Sequence, residues 1–177
     1  EAFGTVAYLV TKSHDIVDSS IVMAKAKVTP LRLKTETTVK EMPRLEMMAA
    51  LIAARLSKTI TKAINNVKLK RSFWCDSEVV LRWILNPNQK LPKYAIGPIE
   101  EILELTDRKE WNYVPTELNV ADLCTKMKKF DFSSNESIWM KVPDFIKWQE
   151  DLWPKLPVKL IADDSGAINN IYLRKLN

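Results

Sequence analysis

Ser72-Phe73-Trp74-Cys75-Asp76-Ser77 decides how this chain is read. The stretch opens as a short apolar and aromatic run, which suits a buried strand. An acid and a hydroxyl residue then end it. The next residues, Glu78-Val79-Val80-Leu81-Arg82-Trp83-Ile84-Leu85, carry apolar groups at helical spacing. The pattern is strand, acid, helix. Open α/β sheets place their chemistry at the carboxyl ends of strands, and Asp76 falls at such an end. Taken alone, Asp76 or Ser77 reads equally as a helix cap that complements the dipole.

Working outward, the chain before this stretch predicts a hairpin and a helix. Phe3 to Val10 reads as a strand, Thr11 to Ser20 as a polar turn, and Ile21 to Val28 as the partner strand. Pro30 ends it, because proline cannot donate to a ladder. Leu31 to Met42 has no period and reads as a loop. From Pro43 a long helix is expected, since Leu45, Met48, Ile52, Leu56, Ile60 and Ala63 recur at steps of three or four. Ala49, Ala50, Ala53 and Ala54 permit close packing on a sheet. Lys58 and Lys62 fall on the solvent side. Glu46 sits about 100° round the helix from Leu45, at the edge of the buried stripe. By itself it needs no role beyond complementing the dipole.

Beyond the stretch, Val67 to Cys75 is expected as the central strand, and Asn86-Pro87-Asn88 breaks the helix that follows. Ile99 to Leu105 reads as a further helical turn or two. Trp111 to Val114 alternates as a half-buried strand and Pro115 stops it. Asn119 caps another helix, with Asp122 in a capping-box position. From Phe130 the texture changes: Trp139, Trp148 and Trp153 alternate with Pro143, Pro154 and Pro157. Such a segment wraps a surface more often than it forms regular elements. Ile168 to Leu173 reads as one more strand.

Composition bounds the function. At 177 residues with 46% hydrophobic and 28% charged residues, the chain can bury a real core. Three glycines, with no GxGxxG or Walker pattern, argue against a glycine-rich phosphate loop. One histidine and two cysteines at unrelated positions nearly exclude a zinc site, and Cys75 and Cys124 read as reduced thiols. No run is long and apolar enough to span a bilayer, and no membrane partner is expected. The net charge of +5 is compatible with a polyanion.

Three acids share a context. Glu46 lies in the first turns of a helix, Asp76 ends a strand, and Asp122 opens a late helix after another strand. Carboxylates gathered at a sheet end repel one another and lose hydration. Proteins keep such clusters mainly for divalent cations, and hard oxygen ligands suit magnesium or manganese. Two ions about 4 Å apart can activate a water and stabilise a leaving oxygen in phosphodiester cleavage.

The wording around these acids resembles the ribonuclease H domain of long-terminal-repeat retrotransposon polyproteins, most closely the BEL/Pao group. The matches are Ala2-Phe3-Gly4-Thr5-Val6-Ala7-Tyr8, Ala24-Lys25-Ala26-Lys27-Val28-Thr29-Pro30-Leu31, Pro43-Arg44-Leu45-Glu46, Trp74-Cys75-Asp76-Ser77, and Val114-Pro115-Thr116-Glu117-Leu118-Asn119-Val120-Ala121-Asp122. Trp139 to Pro154 resembles the segment that follows in that group. The resemblance implies an α/β, ribonuclease H-like fold: a mixed five-stranded sheet flanked by helices, here lacking most of the first strand. It divides the chain into a ribonuclease H-like domain over 1–130 and a Trp/Pro-containing extension over 131–177 that leads toward the next polyprotein domain.

The same resemblance implies hydrolysis of the RNA strand of RNA–DNA hybrids during reverse transcription, with two magnesium (or manganese) ions. Glu46, Asp76 and Asp122 match three catalytic, metal-binding carboxylates. The family's first carboxylate lies a few residues before the Ala2-Phe3-Gly4 match, which places its strand ahead of Glu1. Expected partners are the hybrid and the reverse transcriptase and integrase domains of the same polyprotein. The expected location is intracellular, in a cytoplasmic particle or the nucleus. Arg82, Lys90, Lys93, Lys126, Lys128 and Lys129 are the expected phosphate contacts, since hybrids are recognised through backbone and shape. Absence of the first acid favours a second expectation, a nuclease-dead scaffold or spacer. A third is an unrelated α/β domain whose acids only cap helices.

Overall fold

The computed structural model describes residues 2–13, 16–29, 42–64, 67–125, 138–140 and 142–156. Of the loop expected over Leu31 to Met42 only Met42 is described, and it opens a helix; the strand expected over Ile168 to Leu173 lies outside these residues. The described elements run β1 (Ala2–Ser13), β2 (Ile16–Val28), α1 (Met42–Ala63), β3 (Phe73–Cys75), α2 (Glu78–Leu85), α3 (Ile96–Leu105) and β4 (Trp111–Tyr113). Short 3-10 turns follow at Thr116–Leu118, Val120–Cys124, Ile138–Met140, Asp144–Lys147 and Glu150–Leu152.

β1 and β2 pair antiparallel from Ala2 opposite Val28 to Ser13 opposite Ile16, with a register shift between Ala7 and Tyr8. The hairpin is longer than expected. Thr11 to Ser20 is mostly strand on both arms rather than a turn. Thr11, Lys12 and Ser13 are exposed, and they pair with Asp18, Val17 and Ile16 because the ladder is made by backbone rather than by side-chain burial. β3 and β4 pair parallel, with Phe73 opposite Trp111 and Cys75 opposite Tyr113. Here the strand is shorter than expected: Val67 to Ser72 does not pair, because β4 offers a partner for three residues only.

The core forms where α1, α2 and α3 cover β3 and β4. Met47, Leu51 and Ala54 of α1 meet Val80, Leu81 and Ile84 of α2 and Ile99 and Ile102 of α3, and all are nearly inaccessible. The buried row of α1 therefore runs through Met47, Leu51 and Ala54 beside Leu45, Ile52 and Leu56. Ala63 is exposed, so the stripe stops before the last turn. Phe73 stacks on Trp111 across the β3–β4 pair, with ring centroids 4.7 Å apart. Trp111 Nε1 donates to Thr106 Oγ1 at 2.9 Å, which satisfies the one polar atom of a buried indole. Arg71 clamps Glu110 through two hydrogen bonds of 2.9 Å and fixes the approach to both strands.

The Trp- and Pro-bearing segment packs back on the strands. Tyr8 of β1 donates its hydroxyl to the Trp139 carbonyl at 2.8 Å. Trp74 of β3 meets Phe145 and Trp153 edge-on, each with centroids 4.8 Å apart. Val142, Phe145 and Leu156 are buried, and Leu156 joins the main core. Lys70 and Glu150 form an ion pair near the same edge.

Gly4 lets the turn at Val120–Cys124 lie directly on β1. A Cβ there would stand 2.8 Å from the Cys124 Cβ and 3.0 Å from the Lys25 carbonyl oxygen. Gly4→Ala should therefore displace that turn or the hairpin and lower stability by about 1–3 kcal/mol, as overpacking does. A shift in the urea unfolding midpoint at unchanged slope measures it.

Candidate active site

Glu46, Asp76 and Asp122 arrive from three elements. Glu46 sits in the second turn of α1, Asp76 follows the last residue of β3, and Asp122 lies in the turn Val120–Cys124 after β4. Ser77 joins two of them. Its backbone is extended, and its Oγ accepts from the Val80 N–H at 3.4 Å as the cap of α2. The same hydroxyl donates to Glu46 Oε2 at 2.5 Å. The hydroxyl's one proton goes to the carboxylate and its lone pair takes the amide, so one side chain ties the start of α1 to the start of α2. Ser77 is thus the cap, and Asp76 is free of that duty. Asn119 caps the next turn, its Oδ1 accepting from the Ala121 N–H at 3.2 Å.

The Glu46 carboxyl is perturbed by its surroundings. Burial pushes the Glu46 carboxyl above the usual carboxylate range, and the charges of Asp76 and Asp122 push it further. The Ser77 hydrogen bond acts against both. Cys75, buried at the end of β3, has its thiol pushed up to about 12, first by burial. A thiol held protonated to that degree is neither nucleophile nor ligand at neutral pH. Among the described residues, no three His, Cys, Asp or Glu groups close into a shell tight enough to grip an ion.

A pH dependence follows from Glu46. Its folded pKa lies above its ordinary value of 4.5. Between those two values the folded state holds more proton than the unfolded state, so stability falls as pH rises through that window. Glu46→Gln should flatten this part of the curve. Unfolding midpoints of both proteins, followed upward in pH from the ordinary carboxylate range, check it.

The other candidates divide. Lys90 and Lys93 are exposed on the connection between α2 and α3, ready for a polyanion. Arg82 is half-buried, and its Nε is enclosed without a hydrogen-bond partner. Lys126, Lys128 and Lys129 lie outside the described residues. Trp83 and Trp111 are core residues, at 9% and 3% exposure, and do not stack on a substrate from those positions. Sequence reasoning missed Ser77 as the residue that orients Glu46, although the hydroxyl beside Asp76 was its visible signal.

These features define a mixed α/β domain with small sheets and packed helices. Residues 1–77 match the family model described as Pao retrotransposon-like RNaseH-like domain, and over that part the chain is similar to the ribonuclease H-like domains of Pao/BEL retrotransposons. Glu46, Asp76 and Ser77 fall within the match, and Asp122 falls beyond it. No curated protein and no solved structure matches the chain.

Proposed function

We propose that this domain hydrolyses the RNA strand of RNA–DNA hybrids during retrotransposon reverse transcription, with magnesium or manganese as cofactor. The observation that carries the reading is the family match over residues 1–77, which includes Glu46, Asp76 and the Ser77 hydroxyl that binds Glu46, with the charges of Asp76 and Asp122 adding repulsion to burial at the Glu46 carboxyl. Mutual repulsion of this kind is relieved by a divalent cation, and a donor set made only of carboxylates suits a hard ion. Glu46, Asp76 and Asp122 would hold it. When bound, such a pair of ions supplies an activated water and charge stabilisation on the leaving oxygen. The chain's own contribution is orientation: Ser77 aims Glu46, β3 delivers Asp76, and the Asn119-capped turn delivers Asp122.

The finer fold belongs to the same proposal. β1–β2 and β3–β4 are two separate pairs, and no other described strand joins the second edge of β1 or of β3. In a ribonuclease H-like mixed sheet, a further strand bearing the fourth carboxylate would join them. Arg82, Lys90, Lys93, Lys126, Lys128 and Lys129 would meet phosphates, and reverse transcriptase and integrase domains would be the neighbours in the polyprotein.

A nuclease-dead scaffold is the second reading, and one observation favours it: among the described residues no three His, Cys, Asp or Glu groups form a metal-holding cluster. One experiment separates the readings. A protein that adds the upstream sequence is incubated with an end-labelled hybrid, with magnesium or with EDTA. The nuclease reading expects magnesium-dependent cleavage of the RNA strand alone. Binding of the hybrid without cleavage would establish the scaffold.

A further inference from the structure

We propose that the outer edge of β2 is a docking site for an extended acidic peptide segment, taken up as an added strand with a carboxylate at every second position. Such a site is independent of the nuclease reading. β2 pairs with β1 along one edge, and no described strand meets the other. The residues from Val22 to Val28 are exposed without a break, Val28 at 80%. Met23 stands opposite Ala7 and Ile21 opposite Tyr8, so Val22 is the extra residue of a bulge. Beyond it, Met23 to Val28 is a regular stretch about 20 Å long. The N–H and C=O groups along such an edge form a template for another strand.

The side chains say which strand fits. Alternation sorts the stretch into two rows, with Met23, Lys25 and Lys27 on one face and Ala24, Ala26 and Val28 on the other. Among the described residues neither lysine has a carboxylate partner. Their neighbours across the ladder, Thr5 and Phe3 of β1, supply no charge. A strand laid on this edge therefore meets two unpaired cations on one face and small apolar groups on the other. Acids at alternate positions answer the first row and valine-like residues the second. Opposite charges facing one another across a ladder stabilise the pair.

Other occupants fit less well. Two-fold antiparallel pairing of β2 with a second copy brings residues of the same row face to face. The registers that overlap Met23 to Val28 most fully then set Lys25 against Lys25 or Lys27 of the copy, and like charges directly opposite are destabilising. Lysines on an edge blunt self-association in this way. A polynucleotide would meet the lysines through phosphates but leave the carbonyl groups and the apolar row without partners, whereas an added strand uses all three.

The test is amide NMR titration of the full chain with two short peptides, valine alternating with glutamate and valine alternating with lysine. With the glutamate peptide, signals from Met23 to Val28 should shift and their amides should exchange with solvent more slowly. Those of Thr11 to Ser13 at the hairpin tip should stay unchanged. The glutamate peptide should bind about tenfold tighter than the lysine peptide. Lys25→Gln and Lys27→Gln should each narrow that difference. The double variant Lys25→Glu/Lys27→Glu, first shown to unfold like the parent, should reverse it. Lys58→Glu/Lys62→Glu, on the exposed side of α1, should leave it as in the parent. Equal binding of the two peptides, a double variant that keeps the parental order, or no response at Met23 to Val28 overturns the proposal. So does a chain that takes neither peptide but loses RNA–DNA hybrid binding in the double variant, which would give the two lysines to nucleic acid.

Discussion

Asp76→Asn is expected to abolish divalent-ion binding while leaving the unfolding midpoint unchanged or raised. The structure removes the main competing role of this acid, because the cap of α2 is the Ser77 hydroxyl and not the Asp76 carboxylate. Loss of a cap would otherwise cost about 0.5–2 kcal/mol, with Asn nearly as good as Asp there. What Asp76 does instead is raise the energy of its neighbourhood: its charge bears on Glu46 and on Cys75. Taking that charge away relieves repulsion in the ion-free protein and deletes a ligand from the ion-bound one. Calorimetric titration with manganese, beside a denaturation curve, reads both effects at once. A variant that still binds the ion as the parent does would show that Asp76 is no ligand.

Phe145→Ala is the second large effect, expected to lower stability by about 3–5 kcal/mol as buried aromatic truncations do. Phe145 is 3% exposed and meets Trp74, two residues before Asp76. Total stabilities are about 5–15 kcal/mol, so the variant should approach unfolding at ambient temperature. Trp148→Ala is the control. Trp148 is 50% exposed, and its loss should stay within about 0.5 kcal/mol. Urea midpoints compare the two. An equally small effect at Phe145 would mean that the Trp/Pro segment only drapes over the strands. The expected result would instead make that segment part of the domain that carries Asp76, and the boundary near residue 130 would then divide one folded unit.

Much of this was legible in the chain, for reasons that differ by element. The strand–acid–helix unit at Phe73 to Leu85 was readable because period and punctuation agree there: an apolar run, a polar stop, a capping hydroxyl and then helical spacing. α1 declared itself by its apolar repeat, and Asn119 by its place before Val120–Cys124. The hairpin tip was not legible. Thr11, Lys12 and Ser13 are polar, and strand pairing there depends on backbone alone. The length of β3 is set by β4, a partner some 40 residues away, and no local signal carries that information. The same holds for the site. Each acid was visible with its element, but what each side chain meets depends on contacts across the fold. The Ser77–Glu46 bond spans 31 positions. A wrapping role for the Trp/Pro segment could be read from composition, whereas Trp74 as its anchor could not.

The most direct test is paramagnetic broadening by manganese in an amide NMR spectrum of the chain. Signals from the start of α1 around Glu46, from Asp76 and Ser77, and from the turn around Asp122 should fade together at the first additions of ion. Broadening that follows other acids, such as Asp144 and Asp151, or that leaves any one of the three groups untouched, would contradict a single cation site built from the three.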